Sequence, residues 1–417
     1  MPKISLSPQS EYAMPNCLIN KTVADEVSGP AVPVAAAWGA VMSMTLCVAV
    51  LIASEFMPVS LLTPLAADLG VTEGRAGQAI SISGLFAVIT SLTVTGFTRN
   101  YDRKNVLLFF SLALLLSGLI VTFAPNYAVL MTGRALLGVA IGGFWSMSTA
   151  IVMRLLPEQA VPKGLAWLNA GNAVATTISA PLGSYIGGLI GWRGAFFIVV
   201  PLALLALVWQ WISMPPLPPR HRAGRGNVFR LLRHKQVALG MSAVFLLFMG
   251  QFALFTYLRP FLESVSGYSV PALSSVFLLM GIAGVVGTLC ASRLLGAHLY
   301  LVVTGIPLIL AALAALLIAL GSAQLPVAVL LGAWGFFGTA APVGWGTWLS
   351  RVLPEDAEAG GGLLVAIIQF AITLGAAVGG LLFDWAGWWS AFAFAGVILL
   401  GASATAGAAW LNWGKPE

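Results

Sequence analysis

The chain has 417 residues, 59% of them hydrophobic and only 8% charged, with a formal net charge of +6 and a mean hydropathy of +0.95. Soluble domains carry roughly a quarter charged residues, so a water-facing globule of this size is excluded and lipid is left as the solvent for most of the chain. Lipid cannot hydrogen-bond bare backbone, which leaves helices or closed barrels. Barrel strands alternate apolar and polar residues over about 10 positions. Continuous apolar runs such as 106–124 and 299–320 point instead to an all-α integral membrane protein.

Residues 1–33 are polar and hold Pro8, Pro15, Pro30 and Pro33. A flexible cytoplasmic tail is expected there, not a signal peptide, because the first apolar run is too distant and too long. A crossing needs about 20 residues, and apolar runs of that length predict twelve spans. These are 36–62, 76–97, 105–125, 128–152, 165–190, 194–213, 237–261, 271–292, 299–320, 326–349, 361–382 and 388–411.

Basic residues orient the spans. With the N-terminus inside, Arg99, Arg103, Lys104, Arg154, Lys163, Arg293 and Arg351 fall in cytoplasmic loops. So does the cluster Arg220, Arg222, Arg225, Arg230, Arg233 and Lys235, while Lys3, Lys21 and Lys415 lie in the tails. The opposite loops hold Arg75 and Arg193. This asymmetry places both termini in the cytoplasm. The basic cluster is then a topology signal, and no nucleic-acid partner is expected.

The second half echoes the first. Gly187-Gly188-Leu189 precedes Gly191-Trp192 and Ala195-Phe196, and Gly379-Gly380-Leu381 precedes Gly387-Trp388 and Ala391-Phe392. The expected architecture is twelve transmembrane helices in two six-helix pseudo-symmetric bundles, 34–213 and 237–411. A basic cytoplasmic linker, 214–236, joins them, and 412–417 form a short cytoplasmic tail. Cys17, Cys47 and Cys290 form no spacing motif, and His221, His234 and His298 lack metal-ligand spacing. No metal or organic cofactor is expected. The spans contain no Ser-His-Asp set and no paired acids, which argues against a membrane enzyme.

Three charges break the pattern. Glu55 lies about 10 Å inside the outer end of span one, and Arg134 about 9 Å inside span four, at 1.5 Å per residue. A central acid costs roughly 2.5–3.5 kcal/mol on insertion scales. Two readings stand: a fixed Glu55–Arg134 ion pair joining spans one and four, or a proton-carrying Glu55 tuned by Arg134. Burial favours the neutral acid and a nearby cation the ionised one. Arg259, just before Pro260, is expected to snorkel to the outer interface, with a place lining the outer mouth of the cavity as the alternative. Trp348, near an inner end, is expected at the inner interface.

The layout and local motifs resemble the major facilitator superfamily. Gly96-Phe97-Thr98-Arg99-Asn100-Tyr101-Asp102-Arg103-Lys104 resembles its signature loop, without the second glycine and one basic residue of the usual pattern. Arg134-Ala135-Leu136-Leu137-Gly138 is similar to its intramembrane Arg-Gly motif, and Ala180-Pro181-Leu182-Gly183 to the Pro-Gly motif of proton antiporters. The stretch from Glu55 to Gln78 resembles the drug, sugar and arabinose efflux branch. The stretches 133–157, 250–260 and 341–351 look most like bacterial purine ribonucleoside exporters.

The resemblance implies a proton-coupled antiporter of the bacterial inner membrane. It would work as a monomer among membrane lipids, export nucleosides such as inosine and guanosine, and be powered by the proton gradient without a cofactor. An exporter of sugars or drugs is the alternative. Glu55 and Arg134 would then serve proton coupling, and Gly96, Asp102, Arg103, Lys104, Pro181 and Gly183 would serve gating. Candidate substrate contacts are Trp145, Ser146, Asn169, Asn172, Gln251, Tyr257, Trp345 and Gln369. Amides read base edges and aromatic rings stack on bases, although the same residues also bond helices together.

Overall fold

The chain forms helices wherever its apolar runs are longest, and no strand occurs among the described residues. The computed structural model describes residues 34–98, 100–219, 228–353 and 357–412. The expected tail 1–33, Arg99, the linker residues Arg220, Arg222 and Arg225, and 413–417 lie outside the described residues.

The helices are α1 (Val34–Leu69), α2 (Glu73–Phe97), α3 (Arg103–Thr122) and α4 (Tyr127–Leu155). Next comes Val161–Ser213, broken at Gly191 into α5 (161–190) and α6 (192–213). Then follows α7 (Lys235–Phe255), prolonged by a short helix Leu258–Ser264. Val270–Leu320 breaks at His298 into α8 (270–297) and α9 (299–320). The last three are α10 (Gln324–Val352), α11 (Ala357–Ala386) and α12 (Trp388–Leu411). Eleven helices among the described residues are long and apolar enough to cross a membrane, with Lys163–Ser213 counted once. The protein is a multi-pass membrane protein, and side chains such as Leu189, Ile212, Leu325 and Trp385 lie exposed on its apolar exterior.

Local chemistry sets the helix ends. The side chains of Thr72, Asp102 and Asn126 accept the backbone N–H of Arg75, Lys104 and Val129, at 3.2, 2.8 and 3.0 Å. Each fills a donor that the first helical turn leaves open. At Gly191 the backbone takes φ 76, ψ 168, and at Gly387, φ 88, ψ 177. Side chains other than glycine's are strained in that region. The two Gly-Trp copies seen in the sequence thus mark two of the four turns between consecutive helices where a glycine takes positive φ, the others being Gly70 and Gly267.

The break at Gly191 reverses the chain. Gly171 of α5 packs on Thr45 of α1, and Gln210 of α6 bonds the Ser43 carbonyl. Positions 171 and 210 therefore lie level on α1. Close helix pairs also recur between the halves. A β-carbon at Gly138 or Gly142 of α4 would lie 2.1 or 2.2 Å from the α2 carbonyls of Ser83 and Ala87. One at Gly335 of α10 would lie 2.2 Å from the Met280 carbonyl of α8. Small residues let backbones approach this closely.

Gly191→Ala and Gly387→Ala are each expected to lower stability by about 1–3 kcal/mol. Gly305→Ala, with nothing near its missing β-carbon, is the neutral control. Thermal unfolding in detergent checks all three.

Candidate proton and substrate site

The site begins with two prolines in α1, Pro58 and Pro64. Proline has no N–H, so the carbonyl four residues earlier loses its helical partner. Those carbonyls belong to Ser54 and Ser60. Arg134 of α4 donates from Nη1 to the Ser54 oxygen at 2.6 Å. Its Nε bonds the Ala79 oxygen of α2 at 2.9 Å, and its Nη2 reaches the Glu55 backbone oxygen at 3.1 Å and Ser83 Oγ at 3.3 Å. The second freed carbonyl, that of Ser60, accepts Nη1 of Arg259.

Both arginines depart from expectation. Arg134 is 1% exposed, and it bonds the backbone of Glu55 instead of its carboxylate, so the fixed ion pair between spans one and four is not present. Freed carbonyls are nearer and need a donor. Arg259 does not snorkel to an interface. It is 4% exposed, paired through Nε with Glu263 at 2.8 Å, and it extends its other arm to α1.

The Glu55 side chain, 2% exposed, turns toward the second half, where its Oε1 accepts Nε2 of Gln369 on α11 at 3.3 Å. Phe56, the next residue, stacks on Phe252 of α7 with ring centroids 5.6 Å apart. A carboxyl group thus stands at the contact between halves, bonded by a neutral amide.

The other candidates lie in varied surroundings. Trp145 and Ser146 are half-buried on α4, with Ser146 Oγ bonded to the Gly142 oxygen of its own helix at 2.6 Å. Asn169 is exposed and bonds Leu165 one turn back, at 3.0 Å; Asn172 is half-buried on the same helix. Gln251 faces the Gly338 notch of α10, and its Oε1 is buried without a partner. Trp345 is buried edge-on to Trp348, centroids 5.4 Å apart. Trp348 is fully buried against Gly240 of α7, a correction to its expected interfacial place: the missing side chain at Gly240 makes the slot its indole fills.

Tyr257 is fully buried, and its hydroxyl donates to the Ala376 oxygen of α11 at 2.7 Å. Gly96 falls in the last turn of α2. Asp102 caps α3 and accepts the Leu217 N–H at 3.0 Å, tying its loop to the segment after α6. Arg103 bonds Thr98 Oγ1 at 2.7 Å, and Lys104 donates its backbone N–H to the Asp102 cap. Pro181 frees the Thr177 carbonyl of α5, which faces Gly281 of α8; a β-carbon there would lie 2.6 Å from it. Gly183 packs on Ser60 and Met57 of α1.

Sequence reasoning passed over Asp384, Gln78 and Thr72. At the end of the molecule where α1 meets α2, Asp384 of α11 accepts Thr72 Oγ1 at 2.6 Å and the Gly74 N–H at 3.0 Å. Gln78 donates to the Ala377 oxygen at 3.2 Å. The available signal was one more acid, Asp384, near the end of an apolar run.

The amino-acid pattern of the Major Facilitator Superfamily matches residues 44–359. The chain belongs to this superfamily of transporters. It is 53% identical over 367 residues to "Transcription regulatory protein OpdE" of Pseudomonas aeruginosa, across 87% of this chain and 91% of that one. It is 44% identical over 363 residues to "Purine ribonucleoside efflux pump NepI" of Shigella sonnei, across 87% and 92%. The protein of that name from Salmonella enteritidis is 43% identical. A solved bacterial homolog of the human lysosomal transporter Spinster, inward-facing and unoccupied, has the same fold, with a TM-score of 0.69 at 14% identity over 92% of this chain and 96% of that one.

Arg134→Ala should leave the Ser54 carbonyl unpaired in lipid-shielded protein, remove the links to Ala79 and Ser83 of α2, and destabilise the fold by about 2–5 kcal/mol. Arg134→Lys, which cannot reach all four acceptors, should fall between. Detergent melting temperatures and the yield of monodisperse protein check this.

Proposed function

We propose that this protein is a proton-coupled antiporter of the bacterial inner membrane that exports purine ribonucleosides such as inosine and guanosine. The carrying observation is Glu55. Its carboxyl group is buried, free of the Arg134 ion pair, and hydrogen-bonded across the halves to Gln369. Intramembrane acids of this kind mark proton or substrate paths. A carboxyl bonded to a neutral amide can gain and lose a proton without breaking a salt bridge.

In this reading the chain crosses twelve times as two six-helix bundles, reversing at Gly191, with both termini cytoplasmic. The end where α1 meets α2 faces outward. Nucleosides bind between the halves near the midplane, with Gln251 and Gln369 as amide partners and Trp145 as the stacking surface. Arg134 holds α1 in place so that Glu55 points across the gap. The kinship to NepI pumps supports the purine substrate class, and the absence of a free cation among these candidates suits an uncharged nucleoside over a nucleotide.

A second reading rests on the 53% identity to a protein named as a transcription regulator: a membrane sensor that binds solute without net transport. Flux separates the two.

In proteoliposomes, wild-type protein is expected to accumulate radiolabelled inosine against its gradient when ΔpH is imposed, and Glu55→Gln to lose this while retaining substrate exchange at equal pH. ΔpH-driven flux unchanged in Glu55→Gln would remove Glu55 from the mechanism; binding without flux in wild type would favour the sensor.

A further inference from the structure

Among the described residues the halves meet most extensively at three helix pairs, α1 with the extension of α7, α2 with α11, and α5 with α8. The first two carry polar bonds at the α1–α2 end. Arg259 docks on the Ser60 carbonyl. Asp384 caps the start of α2 through Thr72 and Gly74. Tyr257, wedged where Gly77 and Gly380 leave room, bonds Ala376 and lies 3.5 Å from the Gly74 oxygen.

Each of these bonds couples a side chain to a neutral backbone or hydroxyl group. The charge on Arg259 is balanced by Glu263 one turn away on its own helix, so separating the halves there exposes no uncompensated cation. Pro64 leaves the Ser60 carbonyl without a helical partner, so the arginine can release and retake it, with water serving the same acceptor when the contact opens.

We propose that Arg259, Asp384 and Tyr257 form the gate that closes the α1–α2 end, with Arg259 on the Pro64-freed Ser60 carbonyl as its principal latch. Arg259 is a positioning residue: it touches no substrate and sets the balance between closed and open states. The inference rests on the alternating-access reading above, but its test needs no substrate.

The test uses full-length protein in lipid nanodiscs, with Cys17, Cys47 and Cys290 replaced and spin labels on Ala67→Cys and Ser322→Cys, near the ends of α1 and α9. Pulsed dipolar distances report the opening. Arg259→Met keeps the side chain's length and removes every donor. It is expected to shift the open-to-closed ratio toward longer distances by about tenfold, the weight of a charged hydrogen bond, with Arg259→Lys intermediate. Asp384→Asn should shift it in the same direction by less. Should Arg259→Met fail to fold, Asp384→Asn and Thr72→Val carry the test. A lowered melting temperature with an unchanged distance distribution would make these contacts mere packing and overturn the gate. A failure of nucleoside flux with the distance shift intact would overturn the substrate reading alone.

Discussion

Backbone carbonyls inside a membrane protein must find donors, because lipid offers none. Two prolines in α1 turn that constraint into architecture. Pro58 and Pro64 unbind the carbonyls of Ser54 and Ser60, and a buried arginine answers each. One comes from α4 in the same half and gathers α1, α2 and α4 around a single guanidinium. The other comes from beyond α7 and spans the halves. Glu55 owes its position to the first of these: with Arg134 spent on backbone oxygens, the carboxyl is left to face Gln369.

The contacts between halves follow a common physical logic. Breaking a buried ion pair costs about 3–5 kcal/mol because a charge is left uncompensated. The ion pairs Asp68–Arg193 and Arg259–Glu263 each lie within one half. At the α1–α2 end and around Glu55, the charged groups that meet across the halves among the described residues face carbonyls, an amide, a hydroxyl or a helix N-terminus. Such bonds are worth about 1.5–3 kcal/mol when charge-assisted, strong enough to hold a state and weak enough to leave it. A carrier that rocks its halves around a central site needs that range.

Legibility in the sequence varied with the range of the interaction. Apolar runs placed most helix ends to within about five residues, since a crossing length is a property of the local chain, although α1 runs on to Leu69, seven residues past its expected end, and α7 stops at Phe255, six residues short. The Gly-Trp repeat marked the joins at Gly191 and Gly387 because left-handed backbone is a local demand that glycine meets. The buried charges were visible as anomalies, but their partners were not. Arg259 looked like a snorkelling side chain because its distant acceptor is created by Pro64, nearly two hundred positions earlier. Trp348 looked interfacial because the slot at Gly240 belongs to another helix.

By itself the sequence determined the solvent, the helices, their breaks and the presence of an acid at membrane depth, all consequences of composition, hydropathy and single-residue stereochemistry. Only the tertiary structure decided which donor takes which freed carbonyl, that Glu55 bonds Gln369 and not Arg134, and that Asp384 caps a helix in the opposite half. Those choices depend on which side chains come within hydrogen-bond reach of which distant helix, a proximity no local pattern encodes.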